Sequence, residues 1–415
     1  MRLDLEAIRS QFPALGVSDD GVARIYLDNP AGTQVAQRVV DAMSHCMLRA
    51  SANMGGYFRT SVAVGEIVAD AQQAMADFLN APSPDEIIFG QNMTSLTFHV
   101  SRSIGRCFNA GDEIVLSRMD HDANVQPWVL LARDHGLNIR WLPFDTETFE
   151  FDLSMLDELL NERTRLVCVC AASNLTGTVN DVEAICRMAR DAGAWTYIDA
   201  VQSAPHTLND VQAFGCDFLV CSPYKFFGPH QGVLWGRREV LEALEPYRLR
   251  PAPSEIPWCF APGTASHEGM AGTAAAVEYL AWVGETMAGG QGSRRQKVSA
   301  GMAAIAEYEQ TLARHLVEGL LSLPGVTIRG ITAADAMSRR GPTVAFTHER
   351  HTPVHIVKTL AAQNIFAWSG HNYAVEVVKS LDLYESGGVV RVGPVHYNTV
   401  AELDRLFEVL GAGIA

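Results

Sequence analysis

Residues 164–200, TRLVCVCAASNLTGTVNDVEAICRMARDAGAWTYIDA, read as a strand, a helix and a second strand. LVCVC carries apolar side chains without alternation, so a strand there is covered on both faces. DVEAICRMARDAG returns its apolar residues at helical spacing and stops at a glycine. AWTYIDA is a second apolar run, and it ends on a carboxylate, Asp199. Two such strands joined by a helix form a parallel pair in a sheet that is buried on both sides.

The same alternation continues on either side. DEIIF is followed by TSLTFHVSRSIGRCF, and DEIVLS by VQPWVLLARDHG, while CDFLVCS lies downstream. NAGDE and RDAGAW carry turn residues where the helices should stop. The fold class expected is α/β, with a mostly parallel sheet flanked by helices in residues 25–265. After about Pro262 the pattern changes. MAGTAAAVEYLAWVGETMA reads as a helix, GGQGSRRQ as an exposed loop, and 266–300 as a connection. Residues 301–415 alternate strands and helices as a smaller α/β domain, and 1–24 form an N-terminal segment expected to pack with it.

Composition limits the partners. Of 415 residues 48% are hydrophobic and 19% charged, and the formal net charge is −15. That balance supports a large core and argues against a nucleic-acid backbone or an anionic membrane as partner. The opening MRLDLEAIRSQFPAL lacks the pattern of a secretory signal, and no apolar stretch approaches spanning length. The eight cysteines are scattered, several inside apolar runs, and read as buried free thiols in a reducing cytoplasm. No metal spacing is present.

Four stretches fall at predicted strand ends, where open α/β sheets hold ligands. FGQNMTSLTFHV runs through Asn92, Met93, Thr94 and Ser95 into a helix, which makes either an anion site or a plain cap. SRMDHDANVQPW carries His121, Asn124 and Gln126, and AASNLTGTV carries Asn174 and Thr176. TYIDAVQSAPH carries Asp199, Gln202 and His206, where the carboxylate is either functional or an internal ion pair. Twenty-six residues after Asp199 stands Lys225, in SPYKFFGPHQG, an amine in apolar company. Taken together these groups answer the needs of pyridoxal 5′-phosphate: an amine for its aldehyde, a carboxylate for its pyridine nitrogen, an anion cradle, a ring on its face and donors for its phenolic oxygen. No P-loop, dinucleotide fingerprint or H-E-x-x-H motif competes.

The chain resembles the class V branch of fold-type I pyridoxal-phosphate enzymes, near the group II cysteine desulfurases. Seven ordered segments carry the likeness: YLDNPAGT (26–33), DHDANVQPW (120–128), SNLTGT (173–178), IDAVQSAPH (198–206), SPYKFFGPHQGVLWG (222–236), APGT (261–264) and VVRVGPVHYNT (389–399). The resemblance implies that Lys225 binds the cofactor aldehyde and later moves the substrate proton. It implies that Asp199 pairs with the pyridinium nitrogen and His121 stacks on the ring, with Gln202 and Asn174 by the phenolic oxygen. Asn92, Met93, Thr94 and Ser222 would hold the phosphate, with Thr264 reaching in from a second subunit of a homodimer. Arg391 would clamp the carboxylate of a small amino-acid substrate, with Asn174 and Tyr373 beside it.

One segment departs from the pattern. The desulfurases carry an acceptor cysteine in R-x-G-H-H-C-A, and here WSGHNYA (368–374) puts Tyr373 in that place. Tyr224 also replaces the histidine before the lysine. Cys259, in PWCFAPGT, is either a substitute thiol or a small buried hydrophobe. The expected reaction is therefore C–S or C–Se cleavage by a desulfurase-like lyase without a persulfide-accepting cysteine. An aminotransferase, or an epimerase of the isopenicillin N epimerase type, is the alternative.

Overall fold

The computed structural model describes residues 3–413. Seven strands build the large sheet: β1 (Ile87–Gly90), β2 (Glu113–Ser117), β3 (Asn138–Leu142), β4 (Thr164–Cys170), β5 (Trp195–Asp199), β6 (Phe218–Cys221) and β7 (Gly232–Gly236). Their spatial order is β1-β7-β6-β5-β4-β2-β3. Pairing is parallel from β6 through to β3, while β7 runs antiparallel to both β1 and β6.

The unbroken apolar strands are explained by where their two faces point. Val115, Val167, Val169, Ile198 and Leu219 face one core. Ile114, Leu116, Leu166, Cys168, Tyr197 and Val220 face the other. The first core is covered by α2 (Arg59–Leu79) and α6 (His267–Met287), behind α1 (Gln37–Arg49). The second is covered by α3 (Met93–Gly105) and α4 (Gln126–His135), while α5 (Val182–Asp191) returns to the first face. Each large apolar side chain buried this way contributes about 1.5–3 kcal/mol relative to leaving it in water. Gly136 and Gly193 close α4 and the turn after α5 with positive φ, as the sequence punctuation requires.

A second, antiparallel sheet is built from β8 (Val326–Ile328), β9 (Val344–His348), β10 (Trp368–Gly370) and β11 (Val389–Val392), in the order β8-β9-β11-β10. Its core packs against α8 (Pro353–Ala361) and α9 (Val400–Gly413). The helix α7 (Arg294–Leu321) serves both cores: Val298, Met302 and Ile305 point into the large one, Leu312, Leu316 and Leu320 into the small one. Arg294–Gln296, read from sequence as part of a loop, instead open α7, capped reciprocally by Ser293 and Gln296. Arg294 there pairs with Asp70, Asp77 and Glu278, so tertiary charge pairing extends the helix into a glycine-rich stretch.

At the N-terminus, Ile8 and Phe12 join the large core, while Ile25–Tyr26 pair in parallel with Ile365–Phe366. No described helix is long and apolar enough to cross a membrane.

Candidate active site

The carboxyl ends of the parallel strands open on a cavity of about 740 Å³. β1 delivers Gln91 and Asn92 to it, β4 ends at Cys170, β5 ends at Asp199, and Ser222 follows β6. Its lining brings together Asn92, Met93, Thr94, His121, Asn174, Asp199, Gln202, Ser222 and Lys225 from the sequence candidates. Thr264 is exposed and lies away from this cavity. Arg391 and Tyr373 adjoin lining residues without lining it themselves: Arg391 donates to the Asn174 carbonyl at 3.0 Å, and the Tyr373 ring stacks on His121 at 5.3 Å.

Lys225 sits on the short turn Pro223–Lys225 after β6, where Pro223 presets the first turn. Its amine donates to the Pro30 carbonyl and lies 5.1 Å from the centroid of the Tyr224 ring. Burial drives its pKa from 10.5 down to about 7, and Arg391 pushes the same way against the pull of Asp199. Asp199 is raised to about 6 by burial, partly offset by the Val201 N–H that it accepts at 2.8 Å and by Lys225. An amine and a carboxylate facing one cavity are thus both shifted by burial toward neutrality.

His121 caps a short turn, its Nδ1 accepting from the Ala123 N–H at 3.0 Å. Burial lowers it to about 3, with Lys225 and Arg391 adding to the shift, so the ring is neutral and flat against its neighbours. Behind it, Asp120 takes bonds from Ser117, from Asn124 at 2.6 Å and from the Cys170 N–H at 3.0 Å. On its outer side the Tyr373 ring lies within 22° of parallel. Asn372 and Tyr373 both adopt positive φ, 49° and 58°, which strains side chains other than glycine. Asp122 N–H to Tyr373 O at 2.7 Å and Asn174 Nδ2 to Asn372 O at 2.8 Å hold them there.

The helix α3 offers an anion cradle. Asn92 caps it by accepting from the Ser95 N–H at 2.9 Å, and the Met93 N–H donates to Ser222 Oγ at 3.0 Å. That leaves the Thr94 N–H at a positive helix end without a partner among the described residues. Three more buried atoms near the site lack hydrogen-bond partners among the described residues: Asn174 Oδ1, Arg391 Nε and Asp28 Oδ1. Such groups cost free energy unless something completes them. Donors at α3, an amine, a carboxylate and a neutral ring fit pyridoxal phosphate group by group.

Sequence reading missed Ala31, Gln91, Ala123, Cys170, Ala172, Val201 and His230 as lining residues. Most are small and make room rather than bonds, a role with no local signal. His230 stacks on Tyr224 at 5.0 Å, a pairing that the adjacent motif could have suggested. Cys259 lies in the second core beside Phe260, and burial raises its thiol. Cys170 lines the cavity, yet burial drives its thiol well above the usual range.

The family described as aminotransferase class-V matches residues 25–406. A probable cysteine desulfurase of Streptomyces coelicolor is 34% identical, over 98% of this chain and 96% of that relative. A cysteine desulfurase of Yersinia pestis is 31% identical over 98% and 97%. Among solved structures, the apo cysteine desulfurase of Thermococcus onnurineus superposes with a TM-score of 0.87 at 28% identity, covering 99% of this chain and 98% of that one. The cysteine desulfurase CsdA of Escherichia coli gives 0.84 at 26%, covering 100% and 99%. With the family pattern spanning both sheets and relatives aligned along nearly their whole length, the chain belongs to the class V aminotransferase family.

Proposed function

We propose that the protein cleaves the C–S bond of a small amino acid with pyridoxal phosphate, releasing the sulfur directly rather than onto a protein thiol. The observation that carries this reading is Tyr373 on the strained loop over His121, where the desulfurases present a cysteine. A phenol cannot become a persulfide. Cys170, the thiol that lines the cavity, is held protonated by burial.

When bound, pyridoxal phosphate supplies an electron sink for negative charge at the substrate Cα. This chain's residues would do the rest. Lys225 would hold the cofactor aldehyde and would take the substrate Cα proton on Nζ, a task suited to an amine near neutrality. Asp199 would keep the pyridine nitrogen protonated, and His121 would lie against the ring. Thr94 and Ser222 hold the phosphate at the start of α3, with Asn92 and Met93 shaping the turn. Asn174 and Gln202 border the phenolic oxygen. The unpartnered Nε of Arg391 suits a substrate carboxylate.

Pairing of two copies completes the site in this reading. Thr264 is exposed beside a hollow of about 470 Å³ lined by Met54, Leu249, Pro251 and Trp258, among others. Leu48, Met47, Tyr57 and Phe58 form further exposed apolar surface on the segment leading to Met54 and beyond it. Apolar area of that kind favours burial against a second copy.

The test is a screen of amino acids against cofactor-loaded protein, with product analysis. Pyruvate, ammonia and sulfide from cysteine without added reductant is the expected result. Accumulated pyridoxamine phosphate would establish transamination instead, and Cα deuterium exchange without product would establish epimerisation. Lys225→Ala should remove the borohydride-reducible cofactor and the activity together.

A further inference from the structure

Trp368 and Tyr373 stand on one short segment beside the cavity, and both show aromatic surface to solvent, 53% and 64% exposed. Trp368 opens β10 at the edge of the small sheet, directly across from Arg391 in the antiparallel ladder. Facing residues of such a pair lie on the same side of a sheet, with Cβ atoms about 5 Å apart. From that side Arg391 reaches the carbonyl of Asn174, which lines the cavity. Trp368 therefore stands next to the group proposed for the substrate carboxylate. The desulfurase pattern R-x-G-H-H-C-A has an arginine at this place, so a charge has given way to an apolar ring.

A run of further rings starts at the cavity itself. His121 lines it, and Tyr373 stacks on His121 at 5.3 Å. His371 meets Tyr373 edge-on at 5.7 Å, and Tyr384 stacks on His371 at 6.1 Å. Backbone bonds fix the loop: the Tyr373 N–H donates to His371 Nδ1 at 3.0 Å, and the Tyr373 carbonyl accepts from the Asp122 N–H at 2.7 Å. Lys379, beside Tyr384, is already paired with Glu376 at 3.2 Å. Single exposed rings need no explanation, but rings continuous with a cavity offer a ligand an apolar wall.

We propose that the substrate is a cysteine whose sulfur carries a flat apolar group, with its carboxylate on Arg391 and the substituent against Trp368 and Tyr373. This rests on the C–S lyase reading above and names a substrate class for it. The missing acceptor cysteine agrees with it. A sulfur bonded to carbon on both sides cannot be passed on as a persulfide and leaves as a thiol. In that reaction the Cα–H and C–S bonds break, and the sulfur keeps the electron pair of the C–S bond and takes a proton. The three-carbon remainder adds water and yields pyruvate and ammonia. Water is the only co-reactant, and no outside oxidant or reductant is needed.

Binding and turnover both test this. The compound 3-(phenylthio)propanoate keeps the carboxylate and the arylated sulfur but has no amine, so it binds without reacting. Calorimetry on cofactor-loaded protein should show it binding about tenfold tighter than 3-(methylthio)propanoate, the worth of one good ring contact. Trp368→Ala should bring that ratio close to one, and Trp368→Phe should keep most of it. With S-phenyl-L-cysteine the wild type should release thiophenol and pyruvate, at a kcat/KM about tenfold above that for L-cysteine. Pyruvate from cysteine, together with equal affinity for the two propanoates, a ratio unmoved by Trp368→Ala, or no cleavage of the conjugate, overturns the inference alone. No pyruvate from either amino acid overturns the lyase reading and this inference with it.

Discussion

Lys225 gives up most of its water, and the loss sets its chemistry. A lysine amine near pKa 7 is largely neutral at physiological pH, whereas an ordinary one near 10.5 is almost wholly charged. Only the neutral amine attacks an aldehyde. The rate at which cofactor-free protein captures pyridoxal phosphate should therefore climb through a midpoint near pH 7 and level off above it. Stopped-flow absorbance across the pH range would show this, and a midpoint near 10 would contradict the burial argument. Thr264→Ala belongs to the same scale. Losing one hydrogen bond to a charged phosphate costs about 1.5 kcal/mol, so cofactor affinity should fall about tenfold if a second copy supplies Thr264.

Helices α6 and α7 approach so closely that glycine is required at the contact. A Cβ on Gly284 would come within 1.8 Å of the Lys297 carbonyl oxygen, and one on Gly301 within 2.4 Å of the Leu280 carbonyl oxygen. Both obstructions are backbone and cannot swing away. Gly301→Ala should destabilise by about 1–3 kcal/mol, the usual cost of overpacking. Gly65 on α2 has open space around its Cβ position, so Gly65→Ala should stabilise by about 0.5–1 kcal/mol through helix propensity. Denaturant titration of the two variants gives the comparison. The same substitution has opposite signs because packing, not propensity, governs the first site.

Across the whole molecule, α7 ties the large and small cores into one body, and the cavity lies beside that junction: Gln202 meets Thr343, and Asn174 meets Arg391. Met47, Leu48, Met54, Tyr57 and Phe58 lie exposed among the described residues, with Leu48 80% and Tyr57 104% exposed. Leu48→Asp together with Tyr57→Asp should lower the mass seen by light scattering from two copies to one. Cofactor affinity should fall in the same variant, since the proposed Thr264 contact crosses that boundary. Unchanged mass would remove the pairing argument.

Much of the fold and site was legible locally. Unbroken apolar strands ending in Asn92, Asp199 and Ser222 declare a doubly covered sheet with ligand groups at its edge, because strand burial and turn chemistry act over a few residues. Lys225, Asp199 and His121, singled out as candidates near those strand ends, all line the one cavity. What sequence could not show depends on long-range packing: the opening of α7 by Arg294 among distant carboxylates, the glycine contact of α6 with α7, and the small residues that shape the cavity. The hydrogen-bonded path from Gln202 through His206 to Glu309 is of that kind. Its bond between positions 206 and 309 joins the turn after β5 to α7, and no spacing along the chain encodes that meeting.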